Sequence, residues 1–242
     1  MKLYAVGLGP GDGDYLAPKA RQVLLQSEVI VGYTGYTELI SELAAGKELI
    51  VSGMNSEVER CNGAINEALK GKKVAVVSGG DSGIYGMAAL LYELAATEPG
   101  LEIEVIPGIT AAGAAAAILG SPLTNDFAVI SLSDLLTPWQ TIEKRLEACA
   151  KADMVLCIYN PQSKKRADHL KRACAIALRY KPAHTACGYV RNALRGPATE
   201  SCVCSLAELA EKQVDMFTTV MIGNMSTKII KGKLVTVRGY KV

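Results

Sequence analysis

The sequence predicts an α/β protein of two domains, the first on a mainly parallel sheet and the second on a mixed sheet. Three features of the 242 residues point there. In the first half, short apolar runs alternate with stretches of helical character. Three glycine-rich turns each follow directly on one of those runs. In the second half, strand-like runs crowd together and end in a hairpin pattern. Alternating strands and helices argue for a parallel sheet covered on both faces; hairpin signals argue for a mixed one.

Each element has its own warrant. Leu3 to Leu8 reads as a buried strand and Leu16 to Gln26 as a helix. Val29 to Val31 is a second short strand, Tyr36 to Ala45 a helix, and Glu48 to Val51 a third strand. Ser56-Glu57-Val58-Glu59 has the form of a capping box opening a helix that runs to Leu69. Lys73 to Ser78 is a strong strand, followed by a helix from Tyr85 to Ala96 and a strand from Glu102 to Ile106. The Ala-rich run ends at Gly120-Ser121-Pro122, a helix stop that sets the expected domain boundary: residues 1–120 and 121–242. Beyond it, Phe127 to Ser131 is a strand and Pro138 stands at the first position of a helix. Met154 to Tyr159 is a strand and Ala167 to Leu178 a helix. Ala183 to Val190, Glu200 to Cys204 and Met216 to Ile222 are further strands, and Ile229 to Val235 forms a hairpin around a glycine-containing turn.

Composition removes several function classes. Half the residues are hydrophobic and 21% are charged, which excludes a disordered chain. With 26 basic against 24 acidic residues the net charge is +2, no electrostatic case for nucleic acid or an anionic membrane. Aromatic residues make up 5%, too few for a protein built on base stacking. The seven cysteines are odd in number, lack a C-x-x-C pair and share the chain with two histidines. A complete disulfide framework is excluded, no metal site is expected, and the thiols read as buried groups in a reducing cytosol. The run from Ile109 to Gly120 is too short to span a bilayer, and no secretory pattern opens the chain. The expectation is a cytoplasmic protein.

The chemistry is expected in the glycine turns: Gly7-Leu8-Gly9-Pro10-Gly11-Asp12, Gly79-Gly80-Asp81-Ser82-Gly83-Ile84-Tyr85-Gly86 and Pro107-Gly108-Ile109-Thr110-Ala111. Glycine lets backbone approach a ligand and leaves N–H groups free to bind it. At strand C-termini such loops line one edge of a parallel sheet, where ligands bind in open α/β folds. The first loop is not a dinucleotide fingerprint: Asp12 takes the third glycine position, Pro10 removes a donor, and Glu28 lies at the wrong end of the second strand to hold a ribose. That disfavours a nicotinamide dehydrogenase.

These loops, with Ile130 to Trp139, Tyr159-Asn160-Pro161-Gln162-Ser163 and Arg238-Gly239-Tyr240, carry a resemblance over essentially the whole chain. The sequence resembles the tetrapyrrole methylases, the S-adenosylmethionine-dependent enzymes of corrin and sirohaem synthesis. Within them it is most similar to the ring-contraction branch, which methylates C17 of precorrin-3B or cobalt-precorrin-3 in cobalamin biosynthesis. Ser82 stands where much of the family has proline, as in that branch. The resemblance implies two α/β domains with S-adenosylmethionine in the cleft between them, S-adenosylhomocysteine as product, and a homodimer. Carried over by motif, the cofactor contacts are Pro10, Gly79, Gly80, Asp81, Ile84, Thr110 and Ala111, joined by Ser131, Tyr159, Asn160 and Gly188.

A ring carbon is the nucleophile in this reaction, so no Ser, Cys or His nucleophile is required. Catalysis then rests on holding two molecules in attack geometry, with an acid or base for the contraction. Asp81 is the candidate for that group, against the reading in which its carboxylate only orders the loop. Asp134 stands second, against a turn or helix cap. For the substrate's carboxylates the candidates are Lys164, Lys165, Arg166 and Arg191, against a solvated charge run. The alternatives are another precorrin or uroporphyrinogen C-methyltransferase, a relative acting on protein or RNA, and a tetrapyrrole-binding carrier without turnover.

Overall fold

The computed structural model describes residues 1–241 and divides the chain into two compact units, Met1–Ala111 and Ala112 onward. The first contains β1 (Lys2–Gly7), α1 (Pro18–Gln26), β2 (Val29–Tyr33), α2 (Thr34–Thr37), α3 (Ser41–Ala44), β3 (Glu48–Ser52), α4 (Glu57–Leu69), β4 (Val74–Ser78), α5 (Ala88–Leu94) and β5 (Glu102–Ile106). The five strands form one parallel sheet in the order β3-β2-β4-β1-β5. Its central strands are apolar on both faces because both faces are covered: β4 is buried at every residue. β1 leads across β4 to β2, whereas β4 leads the other way across β1 to β5. Right-handed crossovers in opposite directions put their helices on opposite faces. Accordingly α1 and α3 pack on Val6, Ile30, Ala75 and Val77, and α4 and α5 on Leu3, Ala5, Val29, Val74 and Val76. The C-terminal ends of β4, β1 and β5 are therefore neighbours, and β1/β4 is a topological switch point.

The second unit holds α6 (Ala111–Leu119), β6 (Gly120–Ser121), β7 (Phe127–Ser131), α7 (Trp139–Lys151), β8 (Val155–Tyr159), α8 (His169–Ala177), β9 (Ala186–Arg191), β10 (Glu200–Ser205), α9 (Leu206–Leu209), β11 (Thr218–Ile222), β12 (Thr227–Ile230) and β13 (Lys233–Thr236). Its main sheet runs β10-β9-β11-β8-β7, antiparallel except for the parallel β7/β8 pair. α7, α8 and α9 bury Leu156, Ile158, Val220 and Ile222 on one face. α6 and Leu234 of β13 cover Cys157, Val190 and Met221 on the other. The expected hairpin is present: β12 and β13 pair antiparallel around Lys231-Gly232, both at positive φ, 51° and 75°, the geometry of a type I′ turn.

Several local expectations move. The Ala-rich helix, expected to close the first domain, packs in the second unit: Ala112, Ala115 and Leu119 lie in its core. Ser56 caps α4 by position only; its ψ of 31° is not the extended geometry that aims a hydroxyl at the third helical N–H, and its side chain makes no cap bond. A complete capping box forms instead at Ser205 and Glu208 of α9. Pro138 stands one residue before α7, at ψ 141°, rather than inside it. Tyr85 cannot begin a helix at φ 54°, so α5 starts at Ala88. Tyr36 to Ala45 is two short α turns joined by a 3₁₀ turn at Glu38–Ile40.

Candidate active site

The three glycine loops of the first unit meet, as the strand order requires. Gly9 and Gly80 form an isolated antiparallel bridge, with N–H to O distances of 3.0 Å and 2.7 Å. A Cβ on Gly7 would lie 2.7 Å from both Gly108 N and Gly80 O, so the backbones approach at a distance only glycine permits. The Asp81 carboxylate locks the second loop to the third: Oδ1 accepts the Gly83 N–H at 2.8 Å and Oδ2 the Gly108 N–H at 2.9 Å. This is the loop-ordering arrangement. Ser82, fully buried, donates to the Ala5 carbonyl at 2.9 Å and leans on the Ile106 carbonyl at 3.4 Å. Its hydroxyl thus fastens the loop beneath β1 and β5, a bond that proline could not make. Ile84 and Ile109 are 42% and 41% exposed beside this backbone. Bare backbone flanked by apolar side chains suits an adenosyl group, which has apolar faces and a hydrogen-bonding rim.

Asp12 accepts the Asp14 N–H and caps a 3₁₀ turn at Gly13–Tyr15, and α1 begins only at Pro18. The first loop therefore does not run into a helix N-terminus, the geometry a dinucleotide pyrophosphate needs.

In the second unit the residues expected at the strand ends also gather. Ser131 and Tyr159 are register partners on the parallel β7/β8 pair. Asn160, in the left-handed region at φ 50°, donates to Ser131 Oγ at 3.0 Å. Ser131 Oγ also accepts the Ser133 N–H at 3.2 Å, and the Tyr159 hydroxyl accepts the Ala112 N–H at 2.7 Å in the first turn of α6. Gly188 sits on a different strand from these three. It lies inside β9, separated from β8 by β11, where a Cβ would meet Cys202 O and Leu119 Cδ2, both at 2.9 Å. The missing side chain lets Leu119 of α6 pack close against the sheet.

The basic candidates divide. Lys164 and Lys165 are exposed. Arg166 is turned inward, donating to Ser133 Oγ at 2.8 Å with one nitrogen 3.9 Å from Asp134. Arg191 holds Asp215 at 2.7 Å and Glu200 at 3.3 Å. Sequence reasoning missed the cluster around His169, whose ring lies between Asp134 at 3.1 Å and Asp168 at 3.3 Å. Trp139 and that ring make an edge contact with centroids 4.8 Å apart, and the Arg172 guanidinium stacks over the Trp139 ring at 3.9 Å. Burial works against ionisation of Asp134, but the bond from His169 and the charge of Arg166 outweigh it and hold its carboxyl below the ordinary aspartate value. Asp134 and His169 are 35 residues apart, and no local pattern announces the pair. Among the described residues no group of His, Cys, Asp or Glu could hold a metal ion.

Comparison with known proteins decides the family. The profile of the Tetrapyrrole (Corrin/Porphyrin) Methylases matches residues 2–210. The chain belongs to the tetrapyrrole methylase family. It is 44% identical over 98% of its length to a Salmonella typhimurium protein named "Probable cobalt-factor III C(17)-methyltransferase", of which it covers 99%. It is 42% identical over 99% of its length to the "Cobalt-factor III methyltransferase" of Priestia megaterium, of which it spans only 45%. The crystal structure of the methyltransferase CobJ superposes with a TM-score of 0.89 at 34% identity, covering 97% of this chain and 99% of that one. The tetrapyrrole methylase fold expected from sequence is thus the fold observed.

Proposed function

We propose that this tetrapyrrole methylase transfers a methyl group from S-adenosylmethionine to C17 of a corrin precursor, with ring contraction, in cobalamin biosynthesis. The observation that carries the reading is the nearly end-to-end likeness, at 44% identity, to the Salmonella typhimurium relative. That relative's name points to cobalt-factor III as the macrocycle. The ring carbon takes the methyl, the carbon–sulfur bond breaks, and its electron pair leaves with S-adenosylhomocysteine.

Residues fall to this task unit by unit. Pro10, Gly79, Gly80, Asp81, Ile84, Thr110 and Ala111 of the first unit would hold the cofactor, Gly79 and Gly80 by backbone and Ile84 by apolar contact. Asp81, with both oxygens engaged by backbone N–H groups, serves as the organiser of the loops. Ser131, Tyr159 and Asn160 are the second unit's contribution. The same reading makes the protein a cytoplasmic homodimer; among the described residues no helix is long and apolar enough to cross a membrane.

The test is anaerobic incubation of the pure protein with methyl-labelled S-adenosylmethionine and cobalt-factor III, followed by absorbance and product mass. One added methyl with the spectrum of a contracted ring is the expected result. Tight cofactor binding with no transfer to cobalt-factor III or to metal-free precorrin-3B would refute the assignment.

A further inference from the structure

Two loops leave the C-terminal ends of the parallel β7/β8 pair, and the structure clips them together. The loop after β7 runs from Leu132 to Pro138; the segment after β8 makes a tight turn at Ser163–Arg166, closed by the Arg166 N–H to Ser163 O bond at 3.0 Å. Arg166 reaches back to Ser133 Oγ at 2.8 Å, and His169 takes Asp134 at 3.1 Å. Ser131 Oγ, bonded to Asn160 Nδ2 and to the Ser133 N–H, closes the base of the first loop.

The tips carry the opposite chemistry. Leu136 is 98% exposed and Leu135 71%, although the residues before them are anchored by half-buried Arg166 and buried His169. Lys164 and Lys165 occupy the two middle positions of the adjoining turn, both exposed. An apolar pair on a fastened loop, with two cations on the loop fastened to it, complements an apolar disc with an anionic rim.

We infer that Leu135 and Leu136 seat the face of the tetrapyrrole, that Lys164 and Lys165 take its peripheral carboxylates, and that Arg166 and His169 are positioning residues for this pair of loops. The inference rests on the proposed function, and it assigns recognition to residues that would touch the macrocycle and not the cofactor. It also gives Arg166 a different task from that of the two lysines beside it.

The experiment compares wild type with Leu136→Gln and with the double variant Lys164→Gln/Lys165→Gln. Anaerobic absorbance titration with cobalt-factor III gives the macrocycle Kd, calorimetry gives the S-adenosylmethionine Kd, and sedimentation gives the oligomeric state. Because all three side chains are exposed, urea midpoints should stay at the wild-type value. The expected result is a macrocycle Kd raised about fivefold or more in Leu136→Gln. In the double variant it rises about tenfold with a shallower salt dependence, and the cofactor Kd stays within twofold in both. Wild type that methylates while both variants bind the macrocycle normally would overturn the inference and leave the function standing. So would a change of oligomeric state in Leu136→Gln with macrocycle binding intact, which would make the leucines a self-contact. Wild type that neither binds nor methylates the macrocycle would refute the proposed function and this inference with it.

Discussion

Replacing Asp81 separates ordering from catalysis. Its two oxygens accept one backbone N–H each, at 2.8 Å and 2.9 Å, from Gly83 and Gly108. A hydrogen bond to a charged group contributes about 1.5–3 kcal/mol, and a half-exposed carboxylate sits at the low end. Asp81→Asn keeps one acceptor and turns an N–H donor against the other N–H, a loss of about 1.5 kcal/mol; Asp81→Ala loses both bonds, about 3 kcal/mol. If the bonds hold the loops in the cofactor-binding arrangement, S-adenosylmethionine Kd rises at most about tenfold in Asp81→Asn and about a hundredfold in Asp81→Ala. Calorimetry measures this directly. At saturating cofactor, kcat of Asp81→Asn should stay within about threefold of wild type. An unchanged cofactor Kd with kcat reduced a hundredfold or more, the scale of a lost general acid or base, would refute the ordering role and restore Asp81 to the chemistry.

Three further outcomes follow from the same geometry. Ser82→Ala removes the fully buried hydroxyl that bonds Ala5 O, and should cost about 1 kcal/mol, read as a lower urea midpoint. Burial pushes the thiols of Cys61 to about 11 and of Cys157, Cys174 and Cys204 to about 12. Mass spectrometry after brief iodoacetamide treatment at pH 8 should therefore find label on half-buried Cys149 and Cys202 and on the others only after unfolding. At Asp215, burial opposes ionisation, but bonds from Arg191, Thr218 and the Phe217 N–H prevail and keep the carboxyl below its ordinary value. A depressed carboxyl stabilises the fold fully above the unfolded-state value near 3.9 and loses that contribution as pH falls through the folded value. Asp215→Asn should cost about 0.5 kcal/mol at pH 7 and lose less stability than wild type between pH 5 and pH 3. Urea titrations across that range measure it, and parallel curves would count against the pair.

Much of the fold was legible because each layer of signal agreed. β1 and β4 read as apolar runs since a central parallel strand is buried on both faces, and the glycine turns marked their C-terminal ends. What those signals could not supply was strand order. Nothing in residues 1–111 says that β1 sits between β4 and β5, yet that order is what brings Gly9, Gly80 and Gly108 into contact. Local errors have local causes. Tyr85 looks helical by composition, but the loop before it needs a left-handed residue there. The Ala-rich helix carries only two large side chains, Ile118 and Leu119, at its very end, too few to advertise which core it joins. Leu119 packs in the second unit's core, close against Gly188.

The basic residues show where sequence stops and packing begins. Lys164, Lys165, Arg166 and Arg191 are equivalent candidates for an anionic substrate when read as charges. In the fold, Arg191 finds Asp215 across the β9–β11 region, 24 residues away, and Arg166 finds Ser133, 33 residues away. An arginine already saturated by carboxylates offers a second anion little, because its attraction is largely cancelled by the charges it holds. Arg166 faces a neutral hydroxyl, and its nearest Asp134 oxygen is 3.9 Å away. Its positive charge is therefore only partly offset, and it adds to the field around the Lys164–Lys165 turn. A single arginine can thus fasten one loop by hydrogen bonding and favour an anion on the next by charge. The bond to Ser133 is made by one guanidinium nitrogen, Nη1, whose position the planar head group fixes, so Arg166→Lys should loosen the loops while preserving the charge.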